Sequence, residues 1–286
     1  MTRRDFLPTV AGTLAAASAV APAAAAQDQP IYRNGRIKQC VTGGVFGRGM
    51  SFEDQCRHAA HLGCKGFDLI GPERFPILKK YGLIPTMVPN GGGTIRDALN
   101  RTENHAAIEK VMHQTIDQCH DAGAPSLITF SGNRRGISDS EGMDNCVLFL
   151  NKVKAHAEDK GVTIAMELLN SKVNHKDYQN DHTAWGVEVC KRVNSPRVKL
   201  LYDIYHMQIM EGDIVRTIRE NFRYLDHFHT GGNPGRHEID GTQELNYRFV
   251  AQALLDLGFQ GYIAHEYSPV RDPLTSLNQA IEIFDV

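Results

Sequence analysis

Four apolar runs in the second half of the chain each end on a group that can bind a cation or move a proton. Thr163-Ile164-Ala165-Met166 leads into Glu167, and a run beginning at Val198 reaches Asp203. His227-Phe228-His229 closes a third, and Tyr262-Ile263-Ala264-His265 precedes Glu266. A strand buried on both faces has no reason to end in a carboxylate unless something pairs with it. For any one of these residues a salt bridge or a helix cap would serve; four in succession ask for a common partner. Two glutamates and an aspartate brought to one place repel one another and cannot all ionise cheaply. One divalent metal resolves the conflict, taking Glu167, Asp203, His229 and Glu266 as ligands and leaving positions open for substrate oxygens or water. Mixed oxygen and nitrogen ligation suits Mn²⁺, Mg²⁺ or Co²⁺ at least as well as Zn²⁺.

Positioning these groups requires strands that share one end. From residue 37 onward, short apolar runs alternate with stretches of helical period. The runs fall at residues 37–42, 66–70, 84–88, 126–131, 163–169, 198–205, 224–230 and 262–267. Helical patterns are clearest at 51–62, 104–122, 141–160, 183–193 and 247–257, with a short one carrying Pro76 at 73–81 and a last one from Pro273. Ser51 with Asp54 three residues on marks a helix start, and Gly63, Gly123, Gly161 and Gly258 stand where helices should stop. Eight strands alternating with eight helices predict an α/β fold, a single-domain (β/α)8 TIM barrel, whose catalytic groups come from the C-terminal ends of its strands. The glycines at Gly43-Gly44-Val45-Phe46-Gly47 do not fit the dinucleotide fingerprint that a doubly wound sheet would carry. Asn90-Gly91-Gly92-Gly93 predicts a mobile loop near the active face.

The first 26 residues are set apart. Arg3 and Arg4, an Ala-rich apolar run and Ala24-Ala25-Ala26 before Gln27 have the anatomy of an export signal of the twin-arginine type. That leaves residues 27–286 as the barrel, exported and, on this reading, periplasmic, with no stable membrane span after cleavage. Of the formal charge of −2, the segment carries two arginines and one aspartate, so the remainder stands at −3. There is no basic surplus to neutralise phosphates, so a nucleic-acid partner is not expected. Hydrophobic residues at 42% and charged residues at 22% are ordinary for a globular chain and exclude a disordered or fibrous one. Cys40, Cys56, Cys64, Cys119, Cys146 and Cys190 show no CxxC spacing. A domain of this size buries a core without staples, so no essential disulfide is expected.

The segment from Glu167 to Glu266 resembles the sugar isomerase/epimerase superfamily of xylose-isomerase-like barrels, and within it the hydroxypyruvate isomerase group. The matching pieces are Glu167-Leu168-Leu169-Asn170, Tyr202-Asp203-Ile204-Tyr205-His206-Met207-Gln208, and His227-Phe228-His229. Pro234-Gly235-Arg236-His237-Glu238 leading to Glu244-Leu245-Asn246-Tyr247 follows, and then His265-Glu266-Tyr267. The resemblance implies that Glu167 and Glu266 both touch the metal and move protons, with Asp203 and His229 completing its ligands. It implies that His206 hydrogen-bonds a substrate oxygen and that Arg236 holds substrate, unless Arg236 is a plain loop arginine. Hydroxypyruvate isomerases can carry Gln where this chain has His229, whereas ketose 3-epimerases carry His.

The implied activity is that of an enzyme, an isomerase or epimerase moving a proton next to a carbonyl through an enediolate on a small keto-acid or ketose. Two glutamates can serve as base and acid, and a metal as Lewis acid. Asn170 and His175, on the loop after the fifth strand, either meet substrate or lie in solvent. His227 reads as a core histidine one layer beneath His229, His265 as structural, and Trp185 as packing a helix onto the barrel. The rivals are a keto-inositol dehydratase, a non-catalytic sugar-binding barrel and an AP-type endonuclease. The last needs histidines after strands three and four, where the chain reads Met87-Val88-Pro89 and Thr129-Phe130-Ser131. The sequence leaves room for a homo-oligomer.

Overall fold

Each apolar run becomes a strand wherever both of its faces find cover. In the computed structural model, which describes residues 30–89 and 91–286, these are β1 (Lys38–Val41), β2 (Gly66–Asp68), β3 (Ile84–Met87) and β4 (Ser126–Thr129). The second half adds β5 (Thr163–Leu168), β6 (Val198–Asp203), β7 (Leu225–Thr230) and β8 (Tyr262–His265). The export segment read at residues 1–26 lies outside the described residues. All neighbours pair in parallel, in the order β3-β2-β1-β8-β7-β6-β5-β4. The ring closes where Val88, just beyond β3, bridges to Leu127 on β4, its N–H donating to Ser126 O at 2.9 Å. This is the (β/α)8 barrel.

The helices are α1 (Phe52–Leu62), α2 (Phe75–Lys80), α3 (His105–Ala122), α4 (Asp139–Lys160), α5 (Thr183–Val193), α6 (Ile204–Met210), α7 (Ile214–Asn221), α8 (Tyr247–Asp256) and α9 (Pro273–Phe284). Ser51 and Ser138 cap α1 and α4 by accepting from the backbone N–H groups of Asp54 and Glu141. Gly63, Gly123 and Gly161 end α1, α3 and α4 in the left-handed region. Trp185 on α5 donates its indole N–H to Asp139 O at 3.1 Å, tying that helix to the start of α4. No helix among the described residues is long and apolar enough to cross a membrane. All six cysteines are free and buried.

Several strands end a residue or two inside their apolar runs, and at β6 the cause is visible. The apolar run 198–205 predicts a strand through Tyr205, but β6 stops at Asp203, whose carboxylate accepts from His206 N at 3.1 Å and so opens α6. A side-chain acceptor at that position turns an apolar pattern that reads equally well as strand into the first turn of a helix.

Strand alternation sorts the barrel interior into layers. Ala165, Leu201 and His227 point inward two residues before Glu167, Asp203 and His229, so the lower layer supports the upper one. On the β3–β6 side this interior is apolar, with Met87, Ile128, Ala165 and Leu201 packed together. On the β1, β2 and β7 side it is polar, with Cys40, Asp68 and His227. β2 and β3 approach closely at Gly66. A Cβ on Gly66 would sit 2.3 Å from Ile84 O and 2.7 Å from Thr86 Cγ2, so no side chain fits. Gly66→Ala is expected to cost about 1–3 kcal/mol, read as a lowered midpoint in thermal or urea unfolding. An unchanged midpoint would show that the two strands part freely.

Candidate active site

The four sequence-predicted ligands meet at the C-terminal end of the barrel. One donor atom from each of Glu167, Asp203, His229 and Glu266 lies within 4.8 Å of the others. His229 Nδ1 is 2.7 Å from Glu266 Oε2, 3.4 Å from Glu167 Oε1 and 3.9 Å from Asp203 Oδ2. Asp203 and His229 are fully buried and Glu167 nearly so, while Glu266 leaves 26% of its side chain open to the mouth. Glu266 lies just past β8, held by its N–H donating to Thr230 O at 3.0 Å.

The charge balance of this cluster points to a cation. Counting Asp68 directly behind it, four carboxylates share the Arg236 guanidinium and the His229 imidazole among the described residues. Burial pushes the Glu167 carboxyl up to about 7, against the pull of His229, and the Glu266 and Asp203 charges add to the push. Burial also pushes Glu266 up, but His229 and Arg236 outweigh it and leave that carboxyl below its ordinary value. His229 resists charging because it is buried, yet Glu266, Asp68 and Glu167 together draw it well above the usual imidazole range. Its Nε2 is committed to Asp68 at 3.0 Å, and its Nδ1 makes no aligned hydrogen bond although three carboxylates surround it. A buried nitrogen aimed at oxygens without a hydrogen bond is what a metal ligand set looks like before the metal is counted. The residues present therefore fit a divalent cation held by Glu167, Asp203, His229 and Glu266.

Arg236 does not lie out in solvent as a loop arginine would. Its backbone takes a left-handed φ of 57° inside a turn in which Gly232 N donates to His237 O at 2.8 Å. From there Nη2 reaches Asp203 Oδ2 at 2.5 Å and Glu266 Oε2 at 2.6 Å, and Nε donates to Glu266 O at 3.1 Å. Burial works against its charge, but Asp203 and Glu266 hold it firmly cationic.

His206, on the first turn of α6, is fully buried, and burial together with Arg236 keeps its imidazole neutral. Asn170 is buried too. Its Oδ1 accepts from Val173 N and Asn174 N at 2.9 Å, which turns Nδ2 toward His206 Nδ1 at 2.6 Å. Arg236 Nη1 approaches Nε2 of the same ring at 2.8 Å, so donors face both nitrogens of a neutral imidazole that can accept at only one. An oxygen offered to Nε2 would relieve the conflict, so His206 and Arg236 are both poised to receive one. Asn170 acts through His206 and does not lie in solvent.

The cluster opens into a cavity of about 320 Å³. Its polar wall comprises Glu167, His175, His206, Arg236 and Glu266. The opposite wall is apolar, with Leu69, Pro89, Ile95, Ile128 and Phe130, and the Gly91–Gly93 stretch runs along it. Gly91 passes so close to β4 that a Cβ there would lie 2.6 Å from Ile128 O. Among the described residues that line this cavity, those at the ends of β3 and β4 include no histidine.

Asp68 is the residue that the sequence pattern does not single out. It ends β2, is fully buried, and accepts from His227 Nε2 at 2.6 Å as well as from His229. His227 lies one layer down as expected, and serves Asp68 rather than the cluster itself. His265 is structural, linking Thr230 Oγ1 at 3.0 Å to Gln39 Oε1 at 3.0 Å and packing edge-on against Phe284 of α9.

Comparison with known proteins agrees with this geometry. The profile of the xylose isomerase-like TIM barrel family matches residues 56–285, a span that takes in every strand after β1. The 2-oxo-tetronate isomerase of Cupriavidus necator is 34% identical over 113 residues, covering 40% of this chain and 43% of the relative. The hydroxypyruvate isomerase of Escherichia coli is 32% identical over 105 residues, covering 36% of this chain and 40% of the relative. The chain thus spans about half the length or less of the first curated relatives it matches. Among solved structures, an AP endonuclease, family 2, from Brucella melitensis superposes with a TM-score of 0.75 at 23% identity, over 84% of this chain and 96% of that one. At that identity the likeness is one of fold. With its closed ring of eight parallel strands and a family match running from 56 to 285, the chain belongs to the xylose isomerase-like TIM barrel family.

Proposed function

We propose that the chain is a divalent-metal-dependent isomerase that moves a proton at the carbon next to a carbonyl, on a small keto-acid or ketose of the hydroxypyruvate type. The observation that carries this reading is the pair Glu167 and Glu266, whose carboxylates share one cluster with Asp203 and His229. The relatives named hydroxypyruvate isomerase and 2-oxo-tetronate isomerase support the same class of reaction. A cation bound by these four residues would supply Lewis-acid stabilisation to negative charge gathering on neighbouring substrate oxygens.

The chain's own groups do the rest. One carboxylate takes a proton from the carbon beside the carbonyl, and the electron pair left behind moves through the new C=C bond onto the carbonyl oxygen. Return of that proton to the former carbonyl carbon, with transfer of the neighbour's hydroxyl proton to the former carbonyl oxygen, gives the isomer without net oxidation or net loss of a proton. Glu167, raised by burial toward neutral pH, is suited to both taking and giving a proton there. His206 Nε2–H donates to a substrate oxygen, and the Arg236 fork holds a carboxylate or a pair of hydroxyls. The apolar wall keeps bulk water away from the exchanging proton.

His229 favours one second reading, a ketose 3-epimerase, since that group carries His at this position. Deuterium exchange followed by NMR over a panel of keto-acids and ketoses separates the two. Isomerase action labels the carbon that becomes the new carbonyl's neighbour, whereas 3-epimerase action labels C3 and leaves the ketone in place. No exchange on any member of the panel, with metal present, would sink both readings.

A further inference from the structure

A neutral imidazole offers its lone pair from one nitrogen only, so a histidine ligand works when something else fixes its proton on the other. In His229 that other nitrogen is Nε2, and its partner is Asp68 Oδ2 at 3.0 Å. Asp68 is itself held from every side. His227 Nε2 shares the same oxygen at 2.6 Å, while Thr86 Oγ1 and the thiol of Cys40, at 3.3 Å, donate to Oδ1. A carboxylate has about four lone-pair sites, and here four donors occupy them.

The backbone is shaped to make this set. The β2–β3 register slips between Phe67 and Asp68, pairing Phe67 with Pro85 and Asp68 with Met87, so that Thr86 is the extra residue of a bulge. Bulges re-aim a side chain, and this one turns the Thr86 hydroxyl onto Asp68. Leu69, directly after Asp68, takes a left-handed φ of 59°, an unfavourable conformation for a leucine, with its N–H donating to Met87 O at 2.7 Å. Gly66 lets the two strands close over Thr86.

Cys40, Asp68 and His227 also lie close enough together to hold an ion of their own. The donors already filling both oxygens of Asp68 argue against it: the thiol and the imidazole spend their hydrogens on the carboxylate.

We propose that Asp68 is a positioning residue that fixes the Nε2–H tautomer of His229 and so presents Nδ1 as a ligand. This rests on the metal-centre reading above, and the measurements keep the two apart. The chain is stripped with chelator and titrated with Mn²⁺ alone by calorimetry, and Co²⁺ is added separately to record its visible ligand-field bands. Asp68→Asn is expected to weaken Mn²⁺ binding by roughly 10- to 100-fold and to change the Co²⁺ bands, at unchanged far-UV circular dichroism. In a His229→Gln background, where the ligand is an amide oxygen with no tautomer to set, the same change should have less than about a twofold further effect.

Should Asp68→Asn fail to fold, Thr86→Val, which removes one donor and keeps the shape, should still weaken Mn²⁺ binding several-fold. Wild-type affinity and wild-type Co²⁺ bands in a folded Asp68→Asn, or in Thr86→Val where the former does not fold, would overturn the proposal while leaving the metal centre standing. A weakening by Asp68→Asn that is equally large in the His229→Gln background would also overturn it. Two equivalents of Zn²⁺ per chain, falling to one in Cys40→Ser, would make Asp68 a ligand instead. No Mn²⁺ binding by the unaltered chain would remove both readings.

Discussion

Glu167→Gln should bind metal yet turn over at least about a thousand times more slowly, the loss expected when a proton-transferring group is replaced by one that cannot titrate. The substitution is nearly isosteric, and the contacts that hold this stretch of β5 go to the backbone: Tyr178 Oη and Asn180 Nδ2 both donate to Glu167 O at 2.9 Å. The fold should survive, and an amide oxygen remains to face the cation. Glu266→Gln should match it in lost turnover and should lose metal affinity as well. That carboxylate is the one nearest His229 Nδ1 and the one that shares Arg236 with Asp203. The pair is separated by measuring kcat at saturating metal alongside metal affinity. Near wild-type turnover in either metal-loaded variant would count against two glutamates as the proton carriers.

Chelation should abolish activity, and Mn²⁺ or Mg²⁺ should restore it. Without a cation, three buried or half-buried carboxylates are left with the Arg236 guanidinium and the His229 imidazole to offset them. Metal should therefore stabilise the folded chain as well as activate it. At a free concentration about 100 times the dissociation constant, linkage adds about 2.7 kcal/mol, which thermal unfolding with and without Mn²⁺ will register. A chelated chain with full activity and an unchanged melting temperature would refute the metal-centre reading as a whole.

The barrel and the cluster at its mouth were legible in the sequence for a physical reason. Strands buried on both faces are apolar throughout, so a carboxylate or imidazole at the end of one stands out, and four such ends in sequence order pick out the cluster. Asp68 carries the same kind of signal, but its apolar run reads on to Ile70, so the carboxylate falls inside the expected strand and not at its end, whereas β2 stops at Asp68 itself. Only the pairing across the barrel, from β2 to β7, gives it a role. Arg236 sits among glycines and a proline, where a solvent-facing loop is the ordinary expectation; the turn between Gly232 and His237 points it inward instead. The start of α6 was hidden for a related reason, because the helix is set by a side-chain acceptor and its apolar pattern matches a continued strand.

The cavity's two walls come from different halves of the chain. Leu169 apart, its hydrophobic side belongs to residues just after β2 and β3 and on or after β4, and its ionisable side to residues on or after β5 and just after β6, β7 and β8. On the proposed function, selectivity and reactivity would fall on separate stretches of gene. Exchanging Ile95, Ile128 or Phe130 for larger or smaller neighbours could retune which molecule is accepted while the proton-handling half stays as it is, and this makes the first half the natural place to begin engineering a new preference.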